Sequence, residues 1–385
     1  MTVVFLLAMA LVVYVIAGYP LLLAALARRA ASPVRKHFRP TAVTILVPVR
    51  NGERWLRAKL ESLLAQKYPR ELVRIMIISD GSTDRTEAIA GEFSKHGVEL
   101  LRIPPSGKAA ALNAGMERAS GQLLMLTDVR QPLHPDSLKN MVACFGDPSV
   151  GAVSGHIVFT GSGDDDAPHL GTYWRYEKWI RHNLTRLDSL LAATGCIFAI
   201  RREIAAPLPE DSLADDAFLP LSVVVRGYRV VYEPGAVAYE VPTALETDFS
   251  RKVRTLAGLY QLLRDHPRLL GPSNRLWLHF WSYKLGRLAL PFGLLLLAAA
   301  SFGLPHGPRP YAVGAQALFY GLALVHPLIP RGWPVSRLSL MARTFVVLMA
   351  ASLCAVSVLF VPAGRLWKEW RVEPAGKSKA ASGRG

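Results

Sequence analysis

The sequence predicts an α/β fold built on a doubly wound parallel sheet, with one transmembrane helix before the sheet and more after it. Three observations lead to this prediction. Of the 385 residues, 51% are hydrophobic, which is high for a soluble protein. Short apolar runs alternate with amphipathic stretches through the middle of the chain. Long apolar runs occupy its beginning and its last third.

The first long apolar run covers residues 3–26 and contains no charged residue. It is long enough to cross a bilayer, which takes about 20 residues. A cleaved signal peptide would have basic residues in front of a shorter apolar core, whereas here Arg28 and Arg29 follow the run. We therefore expect an uncleaved anchor over residues 1–28, and its basic flank indicates that the next domain is cytoplasmic.

Four runs in the middle of the chain are too short and too apolar to be surface helices, so they indicate buried parallel strands. Amphipathic stretches between them predict helices, and this alternation implies a doubly wound sheet. Ligands of such sheets bind at the carboxyl ends of the strands. The strands are expected at residues 43–49, 75–79, 99–103 and 123–127, and the helices at residues 53–66, 83–96 and 108–120.

Acidic residues come at the carboxyl ends of two predicted strands. Asp80 ends the second and Asp128 follows the fourth, so carboxylates gather along one edge of the sheet. The first strand is followed by neither a G-x-G-x-x-G nor a G-x-x-x-x-G-K-[ST] loop. This argues against a dinucleotide-dependent dehydrogenase and against a P-loop nucleotidase.

The last third of the chain predicts about three transmembrane helices within residues 288–362. Its apolar runs cover residues 288–304, 311–329 and 345–361.

Two segments flank these spans. Residues 261–287 end in RLWLHFWSYKLGR, where Trp and Tyr interleave with Arg and Lys, which is typical of a helix at the membrane interface. An ordinary core helix is the alternative. Residues 363–385 form a basic tail that we expect to be disordered. One span before the domain and three after it place this tail outside, but basic residues favour the inside, so its side stays open.

The charge balance, formally +16, raises the question of a nucleic-acid partner. Its basic residues are dispersed, and several stand beside apolar runs, which favours membrane lipids and phosphate-bearing substrates over nucleic acid. Three cysteines, Cys144, Cys196 and Cys354, lie far apart with no CxxC pair. We therefore expect neither a disulfide framework nor a structural zinc site.

Four segments in this order resemble family 2 glycosyltransferases, the family of cellulose, chitin and hyaluronan synthases. They are VPVRNGE, SDGSTDRT, GKAAALNAG and ADDAFLP. The resemblance covers about residues 41–260 and implies a GT-A-like doubly wound mixed sheet with an inverting sugar-transfer activity. It also implies that the membrane segments on both sides belong to the enzyme.

The resemblance assigns a nucleotide-sugar site. Asp80 would accept a hydrogen bond from the N–H of a uracil base, while Pro48, Asn51 and Glu53 would shape the base and ribose pocket. Lys108, at a helix start, would anchor the diphosphate. The alternatives are a turn-forming role for Asp80 before Gly81 and a solvated Lys108.

Asp128 corresponds to the first acid of the family's DxD motif, which implies a Mg²⁺ or Mn²⁺ ion that neutralises the departing diphosphate. The second acid is replaced by Arg130. A guanidinium cannot ligate a metal but can bind phosphate. The sequence leaves open whether Asp128 and the diphosphate hold the ion with another ligand or whether the ion matters less here.

Asp216 aligns with the family's catalytic base, and the adjacent Asp215 would raise its pKa toward the working pH. The alternative is that they serve as an N-cap and first-turn acid of the following helix. Gly195, in the segment that precedes these acids, is expected to border the acceptor. Arg251 and Arg254 stand where processive members carry QxxRW and would contact the acceptor or diphosphate, but Thr255 replaces the tryptophan. This loss favours one or a few sugar additions over long polymerisation.

These features predict a multi-pass enzyme of the inner or plasma membrane with a cytoplasmic catalytic domain. It would move a hexosyl or N-acetylhexosaminyl group from a nucleotide sugar, expected to be a UDP-sugar, to a saccharide or lipid-linked acceptor. The process would be cell-surface or extracellular polysaccharide synthesis, with export proteins as further partners. The alternatives are a polyprenyl-phosphate glycosyltransferase and a non-catalytic nucleotide-sugar-binding subunit. The main prediction is that Asp80, Asp128 and Asp216 converge.

Overall fold

The computed structural model describes residues 1–160, 168–241, 245–330 and 332–361. The predicted tail lies outside these residues. The chain forms two compact units. The sheet unit comprises Ala27–Gly161 and Arg181–Val241, and the helical unit comprises Met1–Leu26, Ser162–Ile180 and Pro242–Gly385.

The sheet unit is built on one seven-stranded sheet. In chain order its strands are β1 (Val43–Val49), β2 (Val73–Asp80), β3 (Val98–Ile103), β4 (Leu123–Thr127), β5 (Val150–Phe159), β6 (Ile197–Arg201) and β7 (Arg229–Glu240). Their order across the sheet is β3-β2-β1-β4-β6-β5-β7.

One half of the sheet is parallel and the other is mixed. Strands β3, β2, β1 and β4 run parallel, with β1 between β2 and β4. Strand β6 is antiparallel to both β4 and β5, while β7 is parallel to β5. The predicted mixed α/β sheet is therefore confirmed, and the four predicted strands correspond to β1–β4.

The helices follow the apolar patterning of the sequence. They are α1 (Thr2–Arg29), α2 (Glu53–Leu64), α3 (Thr86–Glu92), α4 (Lys108–Arg118), α5 (Ser137–Cys144), α6 (Pro168–Leu187), α7 (Asp215–Val225), α8 (Leu245–Asp265), α9 (Trp277–Phe302), α10 (Arg309–Leu328) and α11 (Pro334–Leu359). Helix α2, for example, buries Leu56, Leu60 and Leu63 against the apolar face of the sheet. This spacing places the three leucines on one face of the helix.

The helical unit contains four helices, α1, α9, α10 and α11, that are long and apolar enough to cross a membrane. One lies near the N-terminus and three lie in the last third, as the sequence predicts. Helix α9 begins at Trp277 and reaches Phe302, so residues 277–287 of the predicted interfacial segment belong to the same continuous helix as the span.

Polar side chains also meet inside the helical unit. Glu177 of α6 accepts hydrogen bonds from the Tyr283 hydroxyl at 2.5 Å and from Arg287 at 2.8 Å. The Tyr14 hydroxyl lies 2.6 Å from Ser282 Oγ. Such pairs satisfy polar groups that would be costly to leave alone among apolar helices.

A substitution at Gly121, just before β4, would test how tightly strands β1 and β4 are packed. A Cβ there would lie 2.6 Å from the Thr44 amide nitrogen of β1, so backbone would have to move. We expect Gly121→Ala to lower stability by about 1–3 kcal/mol, as overpacking does, measured as a fall in melting temperature. Gly91→Ala is the control, because Gly91 is an exposed helical residue with open space around its Cα. Equal melting temperatures for the two variants would contradict the close approach.

Candidate active site

The carboxyl ends of the parallel strands and two helix starts form the candidate site. Asp80 is the last residue of β2, and Asp128 directly follows β4. Lys108 is the first residue of α4, and Asp215 and Asp216 are the first two of α7. Because β1, β2 and β4 are parallel, their carboxyl ends share one edge, as the doubly wound fold requires.

Asp80 is almost fully buried and holds the loop that leads into α4. Its Oδ1 accepts hydrogen bonds from the amides of Ser106 at 2.6 Å and Gly107 at 3.1 Å. The Gly107 amide also lies 3.0 Å from Oδ2. Gly107 has φ 91°, a left-handed conformation that favours glycine. Asp80 therefore fixes the position from which Lys108 projects.

The loops after β1 and β2 brace each other through Asn51 and Glu53. Asn51 Oδ1 accepts from the Thr83 amide at 2.8 Å, and Glu53 Oε2 accepts from the Arg85 amide at 3.0 Å. In return, the Glu53 amide donates to Asp84 Oδ2 at 3.0 Å. Two of the predicted pocket residues thus bond to the neighbouring loop in this structure.

Pro48, the third predicted pocket residue, lies within β1 and is half-buried, next to the register partner Ile78 of β2.

Lys108 joins two acidic residues from different elements. Its Nζ lies 2.9 Å from Asp128 Oδ1 and 3.2 Å from Asp215 Oδ1. The cation and both carboxylates are only partly exposed, so their interaction is weakly screened.

The charges set the protonation states. Burial would lower the pKa of Lys108, but Asp128 and Asp215 outweigh it and raise that pKa above its ordinary value. Burial likewise opposes ionisation of Asp128, yet Lys108 and Arg130 lower its pKa. Near neutral pH Lys108 is therefore a charged ammonium beside the charged carboxylate of Asp128.

Arg130, which replaces the second acid of the DxD motif, has an acidic partner. Its guanidinium lies 3.7 Å from Oε1 of Glu240, a buried residue at the end of β7. The pair adds a second fixed cation beside Asp128.

Asp216 lies against Gly195. A Cβ built at Gly195 would come 3.0 Å from Asp216 Oδ2, so glycine allows this close approach. The Asp216 carbonyl accepts a hydrogen bond from the Ala193 amide at 2.7 Å, which attaches the start of α7 to residues 193–195.

The three aspartates of the main prediction are thus brought together around Lys108. Asp80 holds the loop in front of it, Asp128 bonds to it, and Asp216 is close enough to contribute to its pKa. Arg251 and Arg254 lie in α8 of the helical unit. Their predicted contact with acceptor or diphosphate stays a prediction.

A divalent cation fits part of this geometry. Asp128 and Asp215 point at one shared position, where Lys108 supplies the cation, and Asp215 Oδ2 is buried with no hydrogen-bond partner among the described residues. Carboxylate oxygens suit Mg²⁺ and Mn²⁺. Among the described residues, no group of three or more His, Cys, Asp or Glu side chains is arranged to hold a metal ion, so further ligands would have to come from the donor or from water.

Sequence reasoning missed two charged residues of the site, Lys59 and Glu240. Lys59 of α2 is fully buried, and burial lowers its pKa to about 7 despite the opposing charges nearby. Its position, three residues after Leu56 and four before Leu63, lies on the apolar face of the helix. A lysine on the apolar face of a predicted helix is the feature by which the sequence could have pointed to Lys59.

Glu240 gave no signal, because its partner Arg130 lies in the turn after β4 and is far away in sequence.

Residues 44–208 match the family model described as Glycosyl transferase family 2. The matched domain includes Asp80, Lys108 and Asp128, whereas Asp215 and Asp216 follow just after it.

Two curated relatives share this domain. The chain is 29% identical over 246 residues to the N-acetylglucosaminyltransferase of Rhizobium meliloti, covering 58% of this chain and 57% of the relative. It is 27% identical over 238 residues to the poly-beta-1,6-N-acetyl-D-glucosamine synthase of Staphylococcus aureus, covering 58% and 56%. The match thus spans a little over half the length of these relatives.

A solved structure confirms the GT-A-like fold of this chain. The mannosyltransferase PcManGT from Pyrobaculum calidifontis, in complex with GDP-Man and Mn²⁺, aligns with a TM-score of 0.72. The alignment covers 93% of this chain and 99% of that one at 24% sequence identity. At this identity the likeness shows the fold alone.

The hydrogen bonds of Asp80 lead to a test by amide exchange. In Asp80→Ala the Ser106 and Gly107 amides lose a charged acceptor, a bond worth about 1.5–3 kcal/mol. We expect exchange in residues 104–108 to quicken by roughly 10- to 100-fold, measured by hydrogen–deuterium exchange of the full chain in detergent. Asp136→Ala is the control, because it removes only partly exposed pairs, with Lys67 and with His134. Unchanged exchange in Asp80→Ala would show that Asp80 does not hold this loop.

Proposed function

We propose that this protein is a membrane-embedded, inverting glycosyltransferase that uses a nucleotide-sugar donor. The observation that carries the proposal is the position of Lys108, bonded to Asp128 and Asp215 and preceded by the loop that Asp80 holds. A cation at a helix start beside carboxylates is suited to a diphosphate that arrives with or without a metal ion.

The donor binds along the carboxyl edge of the parallel strands. Asp80 meets the base, and the braced loops of Asn51 and Glu53, with Pro48 beneath them, line the base and ribose. On arrival of the diphosphate, Lys108 exchanges its carboxylate partners for phosphate oxygens. Arg130, held by Glu240, adds a second positive charge at the leaving group. A UDP-sugar is the expected donor because the resemblance links Asp80 to uracil.

Asp128 and Asp215 would hold Mg²⁺ or Mn²⁺ together with the donor diphosphate. The ion would supply positive charge that neutralises the departing nucleoside diphosphate.

Asp216 is the general base. Its carboxylate takes the proton of the acceptor hydroxyl while the hydroxyl oxygen forms a bond to the anomeric carbon. The bond from the anomeric carbon to the diphosphate oxygen breaks, and the nucleoside diphosphate leaves with that electron pair. Attack opposite the leaving group inverts the anomeric configuration. Gly195 allows the Asp216 carboxylate to lie close against the backbone, and the acceptor binds beside this pair.

The acceptor is a saccharide or a lipid-linked saccharide of cell-surface polysaccharide synthesis. The names of the two relatives support N-acetylhexosaminyl transfer, although the transferred sugar is part of the proposal. Four helices suited to a bilayer support a multi-pass membrane protein. The proposed site is the inner or plasma membrane, and Arg28 and Arg29 after the first span support a domain on the cytoplasmic side. Arg251 and Arg254 contact acceptor or diphosphate, and Thr255 in place of tryptophan supports few additions per encounter.

The whole proposal is tested with the purified full chain in detergent. UDP- and GDP-sugars are screened for release of nucleoside diphosphate and for labelled product, with and without Mg²⁺ or Mn²⁺. Water-soluble or polymeric product supports saccharide transfer, and a labelled product extracted into organic solvent identifies a lipid acceptor. Failure to bind or turn over every nucleotide sugar would refute the proposal.

Removing the general base should stop transfer without stopping donor binding. We expect Asp216→Asn to lower kcat by roughly 10²- to 10⁴-fold, the usual contribution of a general base. Donor affinity, measured by calorimetry, should change little. Glu210→Gln is the control, since Glu210 is an exposed acid on the loop before α7. Wild-type turnover by Asp216→Asn would assign the base elsewhere.

Removing the bridging cation should instead weaken binding. Lys108→Met deletes a charge-assisted contact worth about 1.5–3 kcal/mol, so nucleoside diphosphate should bind roughly 10- to 100-fold more weakly. The nucleoside without phosphates should bind as before. Lys95→Met is the matched control, because Lys95 is exposed at the amino end of β3, the opposite edge of the sheet. Equal loss for nucleoside and nucleoside diphosphate would contradict a phosphate contact.

A further inference from the structure

Lys59 is a fully buried lysine that the proposed mechanism does not use. It projects from the apolar face of α2, where the neighbouring inward residues Leu56, Leu60 and Leu63 are apolar. Burying an amine is costly unless its hydrogen bonds are satisfied. An apolar side chain at this position would fill the same space without that cost, so the contacts of the amine indicate its role.

The amine closes the turn that carries Asp128 and Arg130. Lys59 Nζ donates to Thr127 Oγ1 at 2.6 Å and to the Gln131 carbonyl at 2.6 Å. These acceptors stand immediately before and immediately after the segment 128–130. Both ends of the segment are therefore attached to one rigid helix.

A second link runs from Thr127 toward the candidate base. Because Thr127 Oγ1 accepts from Lys59, its single hydroxyl proton points elsewhere, and it is donated to the Cys196 carbonyl at 2.7 Å. The Asp128 amide also approaches this carbonyl, at 3.4 Å. Cys196 follows Gly195, the residue that lies against Asp216.

We propose that Lys59 is a positioning residue of the transfer reaction. Its amine holds the turn of Asp128 and, through Thr127, ties that turn to residues 193–196 beside Asp216. The inference rests on the proposed function, because it concerns the geometry between the leaving-group side and the base side of that site. Lys59 itself touches neither donor nor acceptor.

This role predicts a specific kinetic pattern. Asp80 and Lys108, which bind the donor, lie on β2 and α4 and have no hydrogen bond to Lys59 among those described. Lys59→Met keeps the length of the side chain but removes every donor. It should lower kcat by tenfold or more, while the donor KM changes by a smaller factor because Asp80 and Lys108 still bind the donor. A nucleoside diphosphate titration gives the fraction of folded sites by which kcat is normalised.

A double-mutant cycle separates positioning from packing. Thr127→Val removes the hydroxyl that relays the bond from Lys59 to Cys196, so it should lower kcat by a similar factor. Because the two residues act in one chain of bonds, the double variant should lose little more than either single variant. Val98→Ala is the control, because it removes buried packing at the amino end of β3 and should leave normalised kcat within twofold.

Amide exchange tests the inference without relying on turnover. Lys59→Met should quicken exchange in both segments 127–131 and 193–197, whereas Val98→Ala should leave both unchanged. A wild-type protein that uses no nucleotide sugar would refute the proposed function, yet the exchange result would still decide whether Lys59 holds the two segments. Unchanged exchange in both segments, or losses in kcat that multiply in the double variant, would overturn the role of Lys59.

Discussion

The arrangement of the site depends on one interaction, the contact of Lys108 with Asp128 and Asp215. Two carboxylates from separate elements would repel each other at this separation without a cation between them. The ammonium removes that repulsion and keeps the start of α7 beside the end of β4. Since the same ammonium is suited to phosphate, the charge that assembles the site is also available to the proposed donor.

Side chains around this interaction hold the neighbouring loops in place through contacts that do not depend on a ligand. Asp80 orients the loop before Lys108, and the loops of Asn51 and Glu53 bond to the loop that follows Asp80. Arg130 is oriented by Glu240. Preorganised charges of this kind need little rearrangement when charge develops in a reaction.

The parallel half of the fold was predictable because strands buried on both faces leave continuous apolar runs. Strands β1–β4 follow those runs closely. Strand β5 contains Gly151 and Gly155, and its pairing with β7 has register shifts beside them, so it lacks a simple pattern. The predicted helix over residues 83–96 is shorter in the structure and begins at Thr86, because Asp84 and Arg85 bond to Glu53 across the loop.

Site residues were predictable from the sequence only where they lie in short, recognisable segments. Asp80, Lys108, Asp128, Asp215 and Asp216 lie in segments with recognisable spacing, and the structure brings them together. Glu240 and Thr127 act through partners distant in sequence, which no local pattern reveals. Lys59 was missed although it is a charge on the apolar face of α2, and its two acceptors become visible only once α2 is packed on the sheet.

The buried carboxylate of Asp80 has a consequence for recognition. It already accepts hydrogen bonds from two loop amides, so a nucleobase that bonds to it must share an oxygen with the support of Lys108. Base and phosphate recognition are then thermodynamically linked through one carboxylate. A mismatched base would disturb the placement of the phosphate-binding cation as well as its own contacts. Selectivity for the nucleotide would therefore extend from affinity to the alignment of the leaving group.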